Sequence, residues 1–289
     1  MQDEAAVLAL GAAGFFGLAL VLTQFGLRHM KPVPGAAISV TTTAAAFLAA
    51  SPVLVDWTAM TLPAVLVFVA VGSLFPATVT MLTFRANQQL GPHVAGALGN
   101  LAPLFAVLFA IALLGEVPGL WQAAGIAVVL VGATTLMLGS SRGVGAAAWA
   151  AMLLPLAAAL IRGAVQPVVK IGFETWADPF AAATIGYLVS AGVMLTTVTM
   201  RGDIAAIRAG RSGRLWFAAV GLCNGAAVVT MYAALARGPV ALVAPLVATY
   251  PLATLAFGAV LLRSTRIGGR VAVGVAVTVA GVALLLATR

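Results

Sequence analysis

The sequence predicts an all-α integral membrane protein with ten transmembrane helices, arranged as two inverted five-helix repeats. Composition is the first reason. Of 289 residues, 63% are hydrophobic and 8% charged, with a mean hydropathy of +1.13. A soluble domain carries roughly a quarter charged residues to cover its water-facing surface. The second reason is the division into apolar runs of about 20 residues, each enough to cross a hydrocarbon core of about 30 Å as a helix. The third is internal repetition. Gly91-Pro92 returns as Gly238-Pro239, Pro103 as Pro251, and Gly125 and Gly132 as Gly274 and Gly281, at offsets of 147, 148 and 149. A chance apolar match would not keep these in order, and a repeat of this length decides the architecture.

The spans are expected at 5–27, 35–55, 61–84, 92–114, 119–139, 146–171, 179–200, 215–236, 239–262 and 267–287. Turn and charge residues separate them, from Arg28-His29-Met30-Lys31-Pro32 through Gly115–Gly119 and Ser140-Ser141-Arg142-Gly143 to Arg263–Arg270. The segment Arg201–Arg214 is the longest loop. Gly17 and Gly26 in span 1 match Gly163 and Gly172 in span 6, so the repeat takes in five spans, residues 1–141 and 142–289. An odd number of spans turns the second copy upside down relative to the first. In transporters built this way the solute site lies near the midplane between the copies. The start of the chain is acidic (Asp3, Glu4), unlike a cleavable signal peptide, so the first run is expected to be the first span.

The net charge of +8 does not indicate nucleic acid, because the basic residues lie singly or between apolar runs without a basic stripe. It reads as topology instead. Arg28, Lys31, Arg85, Arg142, Arg201, Arg208, Arg211, Arg214, Arg263, Arg266 and Arg270 fall on one side, against Lys170, Arg237 and Arg289 on the other. That bias puts the first group in the cytoplasm and both termini outside, in an inner (plasma) membrane protein. The single cysteine, Cys223, lies in an apolar run and cannot form an internal disulfide.

At this level of detail the chain resembles the EamA-type branch of the drug/metabolite transporter superfamily. The residues that carry the likeness are Asn100-Leu101-Ala102-Pro103, Leu113-Leu114-Gly115-Glu116, Gln122 with Gly125, Gly132, and in the second copy Tyr250-Pro251, Gly274 and Gly281. Arg263-Ser264 departs from the pattern, standing where Gly-Glu would be expected. The resemblance implies ten helices around a central cavity lined mainly by spans 1, 3, 4, 6, 8 and 9. It also implies movement of small organic metabolites, often as export. Better-studied members of the family have cytoplasmic termini, opposite to the charge count here.

Polar groups inside apolar runs are the candidates for chemistry. Arg162 lies in the middle of span 6, where an arginine costs about 2.5–3.5 kcal/mol on insertion scales. Arg162, Gln166 and Lys170 are spaced i, i+4, i+8 and share one helix face. The stripe either binds a carboxylate or phosphate, which a guanidinium holds with two parallel hydrogen bonds, or is absorbed by backbone carbonyls, an acid and snorkelling. Asn100, three residues before Pro103, either repairs the turn the proline opens or faces the solute. Arg85, Gln24, Asn224, Tyr232 and Tyr250 complete the substrate-binding candidates, and Pro103, Pro245 and Pro251 are the candidate kinks or gates. Glu116 is expected to cap span 5. His93 opens span 4 and, with His29 the only other histidine, no metal site is expected. Gly11, Gly14 and Gly17 are expected to let helices approach.

All seven acids, Asp3, Glu4, Asp56, Glu116, Glu174, Asp178 and Asp203, fall at span ends or in loops. A proton-coupled exporter of organic cations would be expected to keep one mid-span. The expectation is therefore a secondary transporter of an anionic or zwitterionic metabolite (an amino acid, organic acid or phosphate ester). It would act by alternating access as exporter or exchanger, without a cofactor, with the solute and the bilayer as partners and a monomer possible. A multidrug exporter of organic cations is the alternative within transport. A membrane enzyme has less support, because no catalytic constellation is recognisable.

Overall fold

The computed structural model describes residues 2–90, 95, 98–137, 149–204, 207, 210–262 and 269–287, and no strand occurs among them. The helices are α1 (Gln2–Leu27), α2 (Pro32–Leu54), α3 (Leu62–Leu74), α4 (Ala77–Leu90), α5 (Ala102–Leu114), α6 (Leu120–Met137), α7 (Trp149–Phe173), α8 (Pro179–Met200), α9 (Arg211–Leu235), α10 (Val240–Val247), α11 (Tyr250–Leu262) and α12 (Gly269–Ala287). Among the described residues, seven segments are long and apolar enough to cross a membrane; Ala102–Leu114, Leu120–Thr135 and Ala272–Ala287 are shorter apolar helices. The expected features at Gly91-Pro92, His93, Ser140-Ser141-Arg142-Gly143, Arg208, Arg263-Ser264, Arg266 and Arg289 lie outside the described residues.

Local chemistry sets the helix ends. Asp178 caps α8, its carboxylate accepting the Phe180 and Ala181 N–H groups at 2.9 Å, with Pro179 in the first turn. α5 stops at Gly115, whose φ of 66° is a left-handed cap that glycine adopts without a Cβ clash. The Gln122 side chain accepts the Gly119 N–H at 3.1 Å ahead of α6. Asp56 caps the short turn Trp57–Ala59, and hydrogen bonds from the Thr58 hydroxyl and N–H hold its carboxyl below the usual range.

Three apolar runs expected as continuous helices are broken. Pro76 divides the third into α3 and α4. Proline has no N–H, so the carbonyl four residues back, Gly72, loses its helical partner. The Ser190 hydroxyl of α8 donates to that carbonyl at 2.6 Å and accepts the Ala77 N–H at 3.4 Å. The fourth run breaks at a turn at Asn100-Leu101, between helical residues 98–99 and α5, and the ninth breaks at Ala248-Thr249 between α10 and α11. At the 148-residue offset of Pro103 and Pro251, these last two breaks occupy the same register. The helix expected from residue 215 begins earlier, at Arg211, which shortens the Arg201–Arg214 loop.

The packing repeats itself across the copies. α1 packs on α9 as α7 packs on α3 and α4; α1 meets α10 and α11 as α7 meets α5; α2 meets α9 as α8 meets α3. Finally, α2 pairs with α8 and α6 with α12. The exchange holds at single residues. A β-carbon on Gly17 would lie 2.6 Å from the Ala253 Cβ, and one on Gly163 2.6 Å from the Phe105 Cβ. One on Gly132 would lie 2.5 Å from the Thr278 nitrogen, and one on Gly281 2.6 Å from the Val129 nitrogen. Each partner is displaced by the same repeat offset as its glycine, within two residues. Even a hydrogen bond is duplicated: Thr43 Oγ1 donates to the Gly221 carbonyl at 2.6 Å, as Ser190 does to Gly72. Of the three spaced glycines in α1, only Gly17 is in a tight crossing. Gly14 faces open space and Gly11 has ordinary contact with Thr230.

Candidate functional site

Three elements converge in the middle of the bundle: the break before α5, the centre of α7 and the break before α11. Gly163 fixes the first meeting, because a β-carbon there would lie 2.7 Å from the Ala102 carbonyl oxygen. With no side chain in the way, α7 sits directly against the first turn of α5, two residues from Asn100. Arg162, next to Gly163, is half-buried, and α10, which ends at the break before α11, packs on both α5 and α7.

The polar groups here are unsatisfied by any described residue. Both amide atoms of Asn100, which is 2% exposed, have no hydrogen-bond partner among the described residues. Gln166, one turn beyond Arg162 and 5% exposed, leaves its Oε1 unpartnered. Arg162 makes no ion pair and no hydrogen bond with any described residue. Buried polar groups of this kind are nearly always paired with protein or water, and an unpaired one costs about 1–3 kcal/mol. An arginine in the apolar interior costs more. The arrangement can therefore accept a small polar molecule, offering a guanidinium and carboxamide donors to an anion and carboxamide oxygens to an N–H or O–H group.

Asn100 does not repair the opened turn, since its amide bonds to nothing described. Arg162 finds no acid or carbonyl among the described residues. All seven acids are among those residues, and the ion pairs between described residues are Lys170–Glu116, Arg201–Asp203 and Arg237–Glu4. Lys170 leaves the stripe: its Nζ donates to Glu116 Oε1 at 2.6 Å and to the Gly238 carbonyl at 2.7 Å. Glu116 departs from its expected role in a different way. It caps a helix, but the helix is α10, whose Val240 N–H it accepts on Oε2 at 2.6 Å; the start of α6 is served by Gln122.

The remaining candidates are spread out. Gln24 on α1 and Arg85 on α4 are exposed, and Asn224 on α9 is half-buried. Tyr232 is 2% exposed and packs edge-on against Phe173 with centroids 6.2 Å apart. Pro103 and Pro251 stand in the first turns after the two matched breaks, and Pro245 lies inside α10. Sequence reasoning missed the Pro76 break, its closure by Ser190, and Trp176. The Trp176 indole is 3% exposed beside Trp57 and Phe68, and its N–H has no described partner.

A helical bundle in two matching copies, whose broken helices meet beside an unpaired cation in an apolar interior, is the build of a multi-pass membrane transporter. A family model described as the EamA-like transporter family matches residues 4–138 and again 149–287. The chain belongs to the EamA-like transporter family, and both matches agree with the two copies seen in the packing. A crystal structure of a protein 20% identical in sequence superposes with a TM-score of 0.85, covering 100% of this chain and 99% of that one. At that identity the likeness concerns the fold. No curated protein matches the chain in sequence.

Proposed function

We propose that this transporter is a secondary carrier of a small anionic or zwitterionic organic metabolite, working by alternating access as exporter or exchanger. One observation carries the reading: Arg162 is a half-buried charge in the middle of α7 with no described partner, beside the equally unpartnered Asn100 and Gln166. A carboxylate or phosphate would satisfy the guanidinium, and the two carboxamides would bind the solute's remaining polar groups. The duplicated contacts support two inverted five-span copies, with the three shorter apolar helices completing ten crossings. The excess of Arg and Lys on alternate loops supports cytoplasmic placement of those loops and external termini.

Counterflow in proteoliposomes tests the reading, with anionic, zwitterionic and cationic solutes and with or without a pH gradient. Anions or zwitterions should exchange, and Arg162→Ala should lower the rate at least about 10-fold, the equivalent of losing about 1.4 kcal/mol of binding. Movement of cations alone, unaffected by Arg162→Ala, would sink the proposal in favour of cation export. A reporter after Arg289 that reads as cytoplasmic would reverse the orientation.

A further inference from the structure

Away from the central site, three elements are tied at one end of the bundle. Glu116 lies in the turn after α5, Lys170 in the last turn of α7, and Gly238 and Val240 at the start of α10. The carboxylate binds the ammonium on one oxygen and the Val240 N–H on the other, each at 2.6 Å, and the ammonium also donates to the Gly238 carbonyl at 2.7 Å. The pair is mostly shielded, with side-chain exposures of 26% and 17%, so screening by solvent is reduced. The carboxylate also faces the positive end of the α10 helix dipole. All three elements belong to the helices that surround the Asn100–Arg162–Gln166 site.

The other copy lacks the charged residues for this contact. At the repeat offset Lys170 corresponds to Gln24, which is exposed and carries no charge, and Glu116 corresponds to Ser264, beside Arg263. The helix crossings are duplicated residue for residue, yet the ionic tie occurs at one end of the sequence pattern and not the other.

We propose that Glu116, Lys170 and the Gly238–Val240 turn form a one-sided gate lock, which holds the solute site closed toward that face and whose charged pair the repeat-related residues Gln24 and Ser264 do not carry. The lock rests on the alternating-access reading above. In the opposite state the ends of α5 and α7 separate from the start of α10, and the ion pair opens.

The test measures conformation apart from transport. Val243, on α10 one turn inside the lock, is 0% exposed. The full chain with Cys223→Ser and Val243→Cys is placed in proteoliposomes, and a membrane-impermeant maleimide is added to each face in turn. The parent should label slowly from both faces. Glu116→Gln keeps an oxygen for the Val240 N–H while removing the charge, and Lys170→Gln leaves the Glu116 cap intact, so neither empties the site of polar partners. Each should raise labelling about 10-fold or more from the Glu116 face alone, while Arg201→Gln, which breaks the exposed Arg201–Asp203 pair, should not. Unchanged labelling in both lock variants, with intact monodisperse protein, overturns the lock. So does acceleration by Glu116→Gln alone, since it would mean that the carboxylate charge at the α10 N-terminus, and not its pairing with Lys170, closes the face. Counterflow on the same vesicles separates the two proposals. Faster labelling without solute movement in the parent keeps the lock and rejects the carrier reading; solute movement with unchanged labelling does the reverse.

Discussion

The two copies of the repeat are alike where helices cross and different where helices break. At the crossings the same small residues return at the repeat offset, and even the hydroxyl bonds to Gly72 and Gly221 are paired. At the breaks the copies diverge. Before α11, Thr249 turns its hydroxyl back onto the Leu246 carbonyl at 2.7 Å and closes the end of α10. Before α5, the equivalent turn carries Asn100, buried and bonded to nothing described. Crossings are constrained by backbone contact, which tolerates little drift. Breaks leave carbonyl and amide groups that either the protein or a solute can satisfy. Both breaks keep the same backbone bond, Leu101 N–H to Leu98 and Thr249 N–H to Leu246, each at 3.1 Å. The difference lies in the side chains: the second copy uses its hydroxyl internally, and the first leaves the Asn100 carboxamide unpartnered among the described residues.

The largest stability effect should come from the duplicated hydroxyl bonds, which look equal but are not. Ser190 serves a carbonyl that Pro76 has deprived of its helical partner. Thr43 serves Gly221 inside the unbroken α9. Ser190→Ala should therefore destabilise the protein by about 2 kcal/mol, the cost of a buried carbonyl left unpaired. Thr43→Val should cost about 0.6 kcal/mol, the usual value of an interhelical bond in a membrane protein. Unfolding in mixed micelles compares them, and equal losses would show that the Pro76 break is satisfied some other way.

Asn100→Ala should separate stability from function. Removing two unpaired polar atoms relieves a desolvation penalty, so unfolding free energy should stay level or rise by up to about 1 kcal/mol. Counterflow at sub-saturating solute should fall about 10-fold, corresponding to about 1.4 kcal/mol of lost solute binding. A drop in stability with unchanged counterflow would make Asn100 a structural residue.

Much of the architecture was legible because membrane folding depends on length, apolarity and small residues at crossings, all of which are written in the sequence. Gly17 was legible as a helix crossing, while Gly11 and Gly14 on the same stripe proved to be ordinary contact and open space. Arg162 and Gln166 were legible for the opposite reason, as polar groups that hydrocarbon does not tolerate without cause. The breaks were harder. Pro76 lies in an apolar run like any other, and its consequence depends on Ser190, 114 residues away in sequence. Glu116 and Lys170 were each read as local features of their own helices. Their meeting was nonetheless within reach: in an alternating topology the ends of the fourth and sixth spans and the start of the ninth share one face. Helix-capping rules pointed Glu116 at the next helix in sequence, whereas the closer free N–H groups belong to a helix in the other copy.

The smallest effect concerns the other half of the opening contrast. The Thr249 hydroxyl is buried and donates only to Leu246, a carbonyl that also receives the Thr249 N–H at 3.1 Å. Because the backbone bond survives, Thr249→Val should cost about 0.5–1 kcal/mol of stability. It should leave the concentration dependence of counterflow within about twofold, since the hydroxyl faces its own turn rather than the solute. Placing a carboxamide at the same register, Ala248→Asn, tests the contrast from the opposite direction. If the free amide before α5 matters because of its position beside Arg162, an added amide before α11 should not restore exchange to Asn100→Ala. Restoration would mean that the two breaks are interchangeable and that the solute lies between them rather than against the first.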